Sequence, residues 1–521
     1  MNTKTIARNT AWYGLENIIS FATSMITSIV IARTLGPAKM GYIIYVNWIV
    51  SITSSLGSIG IPAATRKYMA EFLGGDDRNT ARFIYFRTLT LQTVLATVAT
   101  MFATVWVLLD SPPNYHTAAV LLVFSILPSM INFISAQANV AAEQLSANLA
   151  GSAVGTVAFF VLTMLTVLLH WGVIGVCVAM FSMRFLDCVV RLVPTWRRIH
   201  RWPNQSDAIP ADLRPRMMRF ALQGVSAMLL SLIVWDRSEL FLLKHLCSDI
   251  RQVAYYSVAF SLAERLLVFP GVFAAATGAS ILAQYGRDRS RLPAMTASSV
   301  RYLALVSLPL HIIAGALAAP ALLTLYGKQY VGALLVASIA PMLCLPKAFL
   351  GPIESLFEST DEQQYFLIYN VIGSVLDLGV AALLIPRYGA IGACLGSGAG
   401  QFFAVLSLWT VGIRRYKIQL PWRFIGRISL ISLVASAASY YVARHLQFML
   451  GLVLGSATAI AVFFVQAYFF KILESEDCLR FAALAKSLPD SLAGPFNRAI
   501  AMISVPKALE QAPAEPSVPV N

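Results

Sequence analysis

Between Leu232 and Leu246 the chain reads LIVWDRSELFLLKHL, an apolar run interrupted by Asp236, Arg237 and Glu239. The next apolar run carries Glu264 and Arg265, and the first two carry Glu16, Asn17 and Asn47. An ionisable group inside a hydrocarbon-length segment is costly, so such groups pair, face water or serve transport. Asp236 and Glu239 stand three residues apart and share a helix face, with Arg237 turned about 100° away. Carboxyls that close compete for a proton. Asp236, Glu239 and Glu264 are therefore candidates for ion coupling. A plainer reading places the pair near an interface, neutralised by Arg237 or Lys244.

The elements that carry these groups follow from composition. Of 521 residues, 58% are hydrophobic and 12% charged, with a mean hydropathy of +0.69. A soluble chain would carry about twice that charge. Apolar stretches of bilayer-crossing length fall near 12–33, 40–61, 84–109, 116–139, 146–169, 172–194, 217–243, 252–277, 297–324, 330–353, 365–386, 389–412, 426–446 and 449–471. The expected fold is an all-α polytopic membrane protein of about 14 transmembrane helices. The first stretch is too long and too polar, with Glu16 and Asn17, for a cleaved signal peptide.

The net charge of +14 is topological. With the N-terminus inside, segments facing the cytoplasm hold 26 Lys and Arg against 7 outside. That asymmetry follows the positive-inside rule and argues against nucleic acid as a partner. It places both termini in the cytoplasm. Four cations, Arg184, Arg237, Arg265 and Lys347, sit too deep to reach an interface easily. Arg184 with Asp187 suggests an internal ion pair, and Lys347 with Glu354 flanks a proline kink. Asp377 and His311 stand as lone mid-span polar groups.

Polar residues recur at helical spacing. Glu16, Ser20, Thr23 and Thr27 form one stripe, and Asn47, Ser51, Ser54 and Ser58 a second. Ser257, Ser261, Glu264 and Arg265 form a third. Hydroxyls alone suit helix packing; the added Glu, Asn and Arg point to a hydrated cavity.

An internal repeat is visible. WGVIGVCV from Trp171 matches YGAIGACL from Tyr388, and AAEQ (Ala141–Gln144) matches TDEQ (Thr360–Gln363). KMGYIIY from Lys39 resembles QVAYYSV from Gln252 at a similar offset. The expected organisation is a six-helix bundle over 1–200, a basic cytoplasmic linker over 201–216 and a second six-helix bundle over 217–413. Two additional spans over 414–471 and a cytoplasmic tail over 472–521 follow. The two halves begin on the same side, so they are parallel repeats.

No GxSxG, Walker loop, CxxC or metal-spaced histidine set occurs. The expectation is a protein that is not an enzyme and needs no cofactor or metal. The six cysteines read as small packing residues.

The stretch Ile29–Glu71 resembles the opening signature of the polysaccharide biosynthesis and export family. Members are oligosaccharide-lipid flippases, including the O-antigen type, of the multidrug/oligosaccharidyl-lipid/polysaccharide (MOP) superfamily. The matching residues are Ala32-Arg33-x-Leu35-Gly36, then Gly41 and Tyr42, the Asn and Ser residues of the second span, and TRKY from Thr65. WDRSELFLL with AYYSVAFSLAERL, and YGAIGA, resemble later regions of the same family.

The resemblance implies a V-shaped pair of bundles around a central cavity lined by the first, second, seventh and eighth spans. It implies a cargo of oligosaccharide on polyprenyl diphosphate, turned from inner to outer leaflet of the cytoplasmic membrane during lipopolysaccharide or exopolysaccharide assembly. Membrane lipid and polysaccharide polymerase machinery are the other implied partners. On that reading Arg265, Arg237, Glu264, Asn47, Glu16 and Asn17 line the substrate cavity. The guanidinium forks of Arg237 and Arg265 suit a diphosphate. A cation-coupled multidrug antiporter of the same superfamily is the alternative.

Overall fold

The computed structural model describes residues 3–204, 210, 212–222, 237–360 and 362–472, with the side chains of 3–22, 275, 276, 279, 283, 286 and 363 excepted. The described residues are helical and contain no strand. They hold eleven helices long and apolar enough to cross a membrane, or twelve if the bent pair at 251–274 is one span. Two differences in number from the sequence reading have local causes. The first two expected spans are two helices that meet at a kink at Gly36 and are taken together as α1 (Thr3–Gly57). Most of the expected seventh span, 223–236, lies outside the described residues.

The break in α1 explains the Ala32–Gly36 motif. Gly36 takes φ 73°, a left-handed value that suits glycine, and Pro37 restarts the helix. A broken helix leaves carbonyls without intrahelical donors. Gln329 Nε2 donates to the carbonyls of Ala32 (3.2 Å) and Arg33 (2.9 Å), and Tyr330 Oη to that of Ala32 (3.3 Å). A similar device serves the later glycine turn: Gly389 takes φ 54°, and the Ala390 amide donates to Gln252 Oε1 at 3.0 Å. Gly172, its counterpart in the matched motif, takes φ 60°.

The chain forms two compact units. The first comprises 1–257, 326–332 and 374–397; the second comprises 258–325, 333–373 and 398–521. In the first unit α1 packs with α3 (Arg78–Asp110), α4 (His116–Val123), α5 (Ile126–Ala141), α6 (Leu145–Leu168) and α7 (Gly172–His200), and α2 (Ile61–Gly74) packs on α3 and α5. The short α8 (Glu239–Leu246) also lies against α1. Gly41 lets α1 approach the turn before α9 (Arg251–Arg265): a Cβ there would stand 2.3 Å from the Ile250 carbonyl oxygen. Gly41→Ala should therefore cost about 1–3 kcal/mol through overpacking, read as a lowered unfolding midpoint in detergent. An unchanged midpoint would show that this approach is looser than described.

The second unit is built from α10 (Val268–Arg287), α11 (Leu292–Tyr326), α12 (Leu334–Cys344), α13 (Leu350–Ser359) and the portions of α9, α14 (Gln363–Tyr388) and α15 (Ala390–Tyr416) that fall within it, followed by α16 (Trp422–Arg444) and α17 (Phe448–Phe470). The last two form a tight hairpin through small residues. Gly451, Gly455 and Ala459 are buried on one face of α17, and Ala435, Ser439 and Ala443 on α16. Ser439 Oγ donates to the Gly455 carbonyl at 2.8 Å. In lipid, helix pairs gain from close backbone approach and interhelical hydrogen bonds.

Candidate functional site

Among the described residues, three clusters of intramembrane polar groups hold most of the charged residues that the sequence singles out, two in the first unit and one in the second. The first lies between α1, α4 and α7. Arg184 of α7 donates to Asn47 Oδ1 (2.6 Å) and to Ser125 Oγ (2.5 Å). Asn47 is thus engaged by an arginine rather than standing open. The expected Arg184–Asp187 pair does not form. Asp187 Oδ1 pairs with Arg191 Nε at 2.7 Å, one turn on, and Asp187 Oδ2 accepts from Asn132 Nδ2 at 2.8 Å. Gly151 of α6 makes room for this pair, since a Cβ there would meet Asp187 Oδ1 at 2.5 Å.

The second cluster surrounds Glu239 in the first turn of α8. Glu239 is 1% exposed. Its carboxyl interacts with Asp377 of α14, and Tyr256 and Ser397 stand beside it. Asp377 is fully buried. Asp377 Oδ1 and Oδ2 and Glu239 Oε2 accept no well-formed hydrogen bond from the described residues. Arg237, at a left-handed φ of 59°, reaches Ser257 Oγ at 3.3 Å and lies near Tyr256. The plainer reading of Glu239 is corrected: it does not sit at an interface paired with Lys244. Lys244 Nζ instead faces Asp110 Oδ1 at 3.7 Å, alongside His245 at 3.3 Å.

The third cluster is in the second unit, where two spans break. α9 ends at Arg265, and the chain bends 44° into α10. α12 passes through a 3-10 turn, Leu345–Phe349, before α13. These breaks bring Glu264 Oε1 and Lys347 Nζ to 3.8 Å, both about a quarter exposed. Lys347 therefore has a carboxylate partner, beyond its place beside a kink. Arg265 is half-buried at the α9 terminus, where a cation complements the helix dipole. Broken spans free backbone groups at membrane depth, a common setting for transporter sites.

Three hydroxyls of the stripes bond back one turn within their own helix. Thr27 Oγ1 donates to the Thr23 carbonyl (2.8 Å), Ser54 to Val50 (2.7 Å) and Ser58 to Ser54 (2.7 Å). Asp236 lies outside the described residues, as do the side chains of Glu16 and Asn17. Sequence reasoning left Asp377 unassigned. Its mid-span position was the available signal, and nothing local tied it to Glu239.

A helical chain with this many segments of bilayer-crossing length is a polytopic membrane protein in class. Residues 6–282 match the polysaccharide biosynthesis protein family, and the chain belongs to it. Its fold is that of MOP-superfamily transporters. It is similar to the lipid II flippase MurJ in an inward closed conformation, with a TM-score of 0.71 and 14% identity, over 88% of this chain and 98% of that one. It is also similar to a multidrug resistance MATE family transporter in an inward-facing conformation, with a TM-score of 0.65 and 16% identity, over 76% of this chain and 94% of that one. A MOP superfamily transporter from Pyrococcus furiosus aligns with a TM-score of 0.54 and 16% identity, over 78% of this chain and 95% of that one. No curated sequence matches the chain.

Proposed function

We propose that the chain is a flippase that carries polyprenyl-diphosphate-linked oligosaccharide from the inner to the outer leaflet of the cytoplasmic membrane by alternating access. The family match over 6–282 carries this reading. It acts without covalent chemistry, and both termini face the cytoplasm. A glycan and a diphosphate cannot enter hydrocarbon bare. Arg237 and Arg265 supply the donors that a diphosphate takes in pairs. Two six-helix halves, 1–200 and 217–413, are the moving bodies. A potential negative inside favours outward passage of an anion by about 2.3 kcal/mol per charge per 100 mV. Proton exchange at Glu239, with Asp377 as its partner, adds a second source of drive; Asp236 and Glu264 are the other coupling candidates.

The test is transfer of a fluorescent polyprenyl-diphosphate oligosaccharide in proteoliposomes, followed by quencher access. Wild type should transfer it, and Arg265→Ala should slow transfer about tenfold or more, the loss of roughly one charge-assisted hydrogen bond. Transfer unchanged in the variant removes Arg265 from the site. A folded wild type inert toward such glycans but exporting cationic drugs would favour the multidrug antiporter. The Glu239–Asp377 acid pair is the feature that suits that second reading.

A further inference from the structure

A cavity of about 450 Å³ opens in the first unit between the start of α3 and the end of α7. Its walls are Arg82, Phe83, Phe86 and Arg87 of α3 and Trp196 and His200 of α7, with Thr90 and Asn204 at the margin. No carboxylate is among these lining residues. Phe83 and Phe86 rest on the buried core beneath. Arg82 is held in place: its Nη1 donates to the carbonyl of His200 at 2.8 Å and to that of Trp202, and its guanidinium lies 5.6 Å from the Phe86 ring. Trp196 stacks on His200 at 4.8 Å.

This chemistry has two ends. Among the described residues that line it, the polar end offers guanidinium and imidazole donors and no competing anion, which suits a phosphate. The apolar end continues along α3, where Val94, Val98, Met101 and Phe102 are each more than half exposed. A tryptophan at the junction matches the preference of its amphipathic ring for the headgroup level. A free phosphate would use only the first end; a phospholipid uses both.

We propose that this cavity binds the phosphate headgroup of an anionic glycerophospholipid, in the leaflet at which α3 begins, with its acyl chains along the exposed face of α3. The site is separate from the intramembrane clusters and does not depend on what the chain transports. Basic pockets between spans hold acidic headgroups in this way.

The test is native mass spectrometry of the full chain, released from detergent with phosphatidylglycerol or with phosphatidylcholine of the same acyl chains. Wild type should retain phosphatidylglycerol where phosphatidylcholine dissociates. Each arginine near an anionic headgroup is worth about fivefold in binding. Arg87→Gln should therefore weaken retention about fivefold, and the Arg82→Gln/Arg87→Gln pair about thirtyfold. Because Arg82 also satisfies two backbone carbonyls, the single Arg87→Gln variant, which keeps those bonds, decides the matter if the double variant misfolds. Equal retention of the two lipids, or equal retention of phosphatidylglycerol by Arg87→Gln and wild type, overturns the proposal. So does displacement by millimolar inorganic phosphate, which would mark a free-anion site. Displacement by polyprenyl diphosphate would make the cavity a substrate entry and overturn it equally.

Discussion

In proteoliposomes holding a potential and a pH gradient, we expect Glu239→Gln to lower gradient-driven accumulation of the transported substrate about fifty-fold per 100 mV for each coupled proton lost. The magnitude follows from the work of moving one charge through that potential, about 2.3 kcal/mol. The motive is the burial of Glu239 against Asp377, with three of their carboxyl oxygens lacking well-formed partners among the described residues. Two bare negative charges side by side out of water repel strongly, so such a pair holds a proton between its members or releases it when the site opens. Glutamine keeps the volume and removes the exchangeable proton. Asp377→Asn should cause the same loss, whereas exchange without any gradient should continue in both variants. The discriminating measurement is the accumulation ratio with and without the gradient. A Glu239→Gln protein that still accumulates substrate like wild type would remove the pair from coupling; Asp236→Asn and Glu264→Gln would then be the variants to examine.

Asp187→Ala should destabilise the first unit by about 3–5 kcal/mol, the usual cost of stranding one member of a buried ion pair. Arg191 is 13% exposed and would lose the carboxylate 2.7 Å away, while Asn132 would lose its acceptor. The partner hydroxyl of Ser152 remains, but one neutral acceptor does not balance a guanidinium. Replacing both members, as Asp187→Leu with Arg191→Leu, should recover most of the loss, since an apolar pair of similar bulk has no desolvation to offset. The control is Arg291→Ala, which removes the exposed pair with Asp288, Arg291 being 78% exposed; exposed pairs contribute about 0–1 kcal/mol. Denaturation in micelles by a chemical denaturant gives the comparison. Equal midpoints for Asp187→Ala and Arg291→Ala would mean that the α7 pair is hydrated and structurally idle.

The bilayer makes part of this protein readable from its sequence alone. Hydrocarbon thickness and the need to satisfy every backbone group restrict the chain to apolar helices of one length, so the spans and the all-helical class follow from composition. Glycine and proline mark breaks for equally local reasons, as at Gly36–Pro37 and at the paired turns of Gly172 and Gly389. Sequence also identifies which spans carry charge, because charge there is rare. It does not say what each charge meets. Asp187 has Arg184 three residues before it and Arg191 four after, both on its face of the helix; the glycine of α6 and the amide of Asn132 select Arg191. Arg184 turns instead to Asn47 and Ser125. Glu239 stands three residues from Asp236 in the sequence, yet its described carboxyl partner is Asp377, from another span. Lys347 likewise finds Glu264 through two broken helices. Such partnerships depend on which helix faces pack together, and packing is set by side-chain shape across elements distant in the chain. The membrane class of this protein and its costly residues thus follow from composition, whereas the partners of those residues follow from the packed helices, because a buried charge is stabilised by whatever the fold brings within a few ångströms of it.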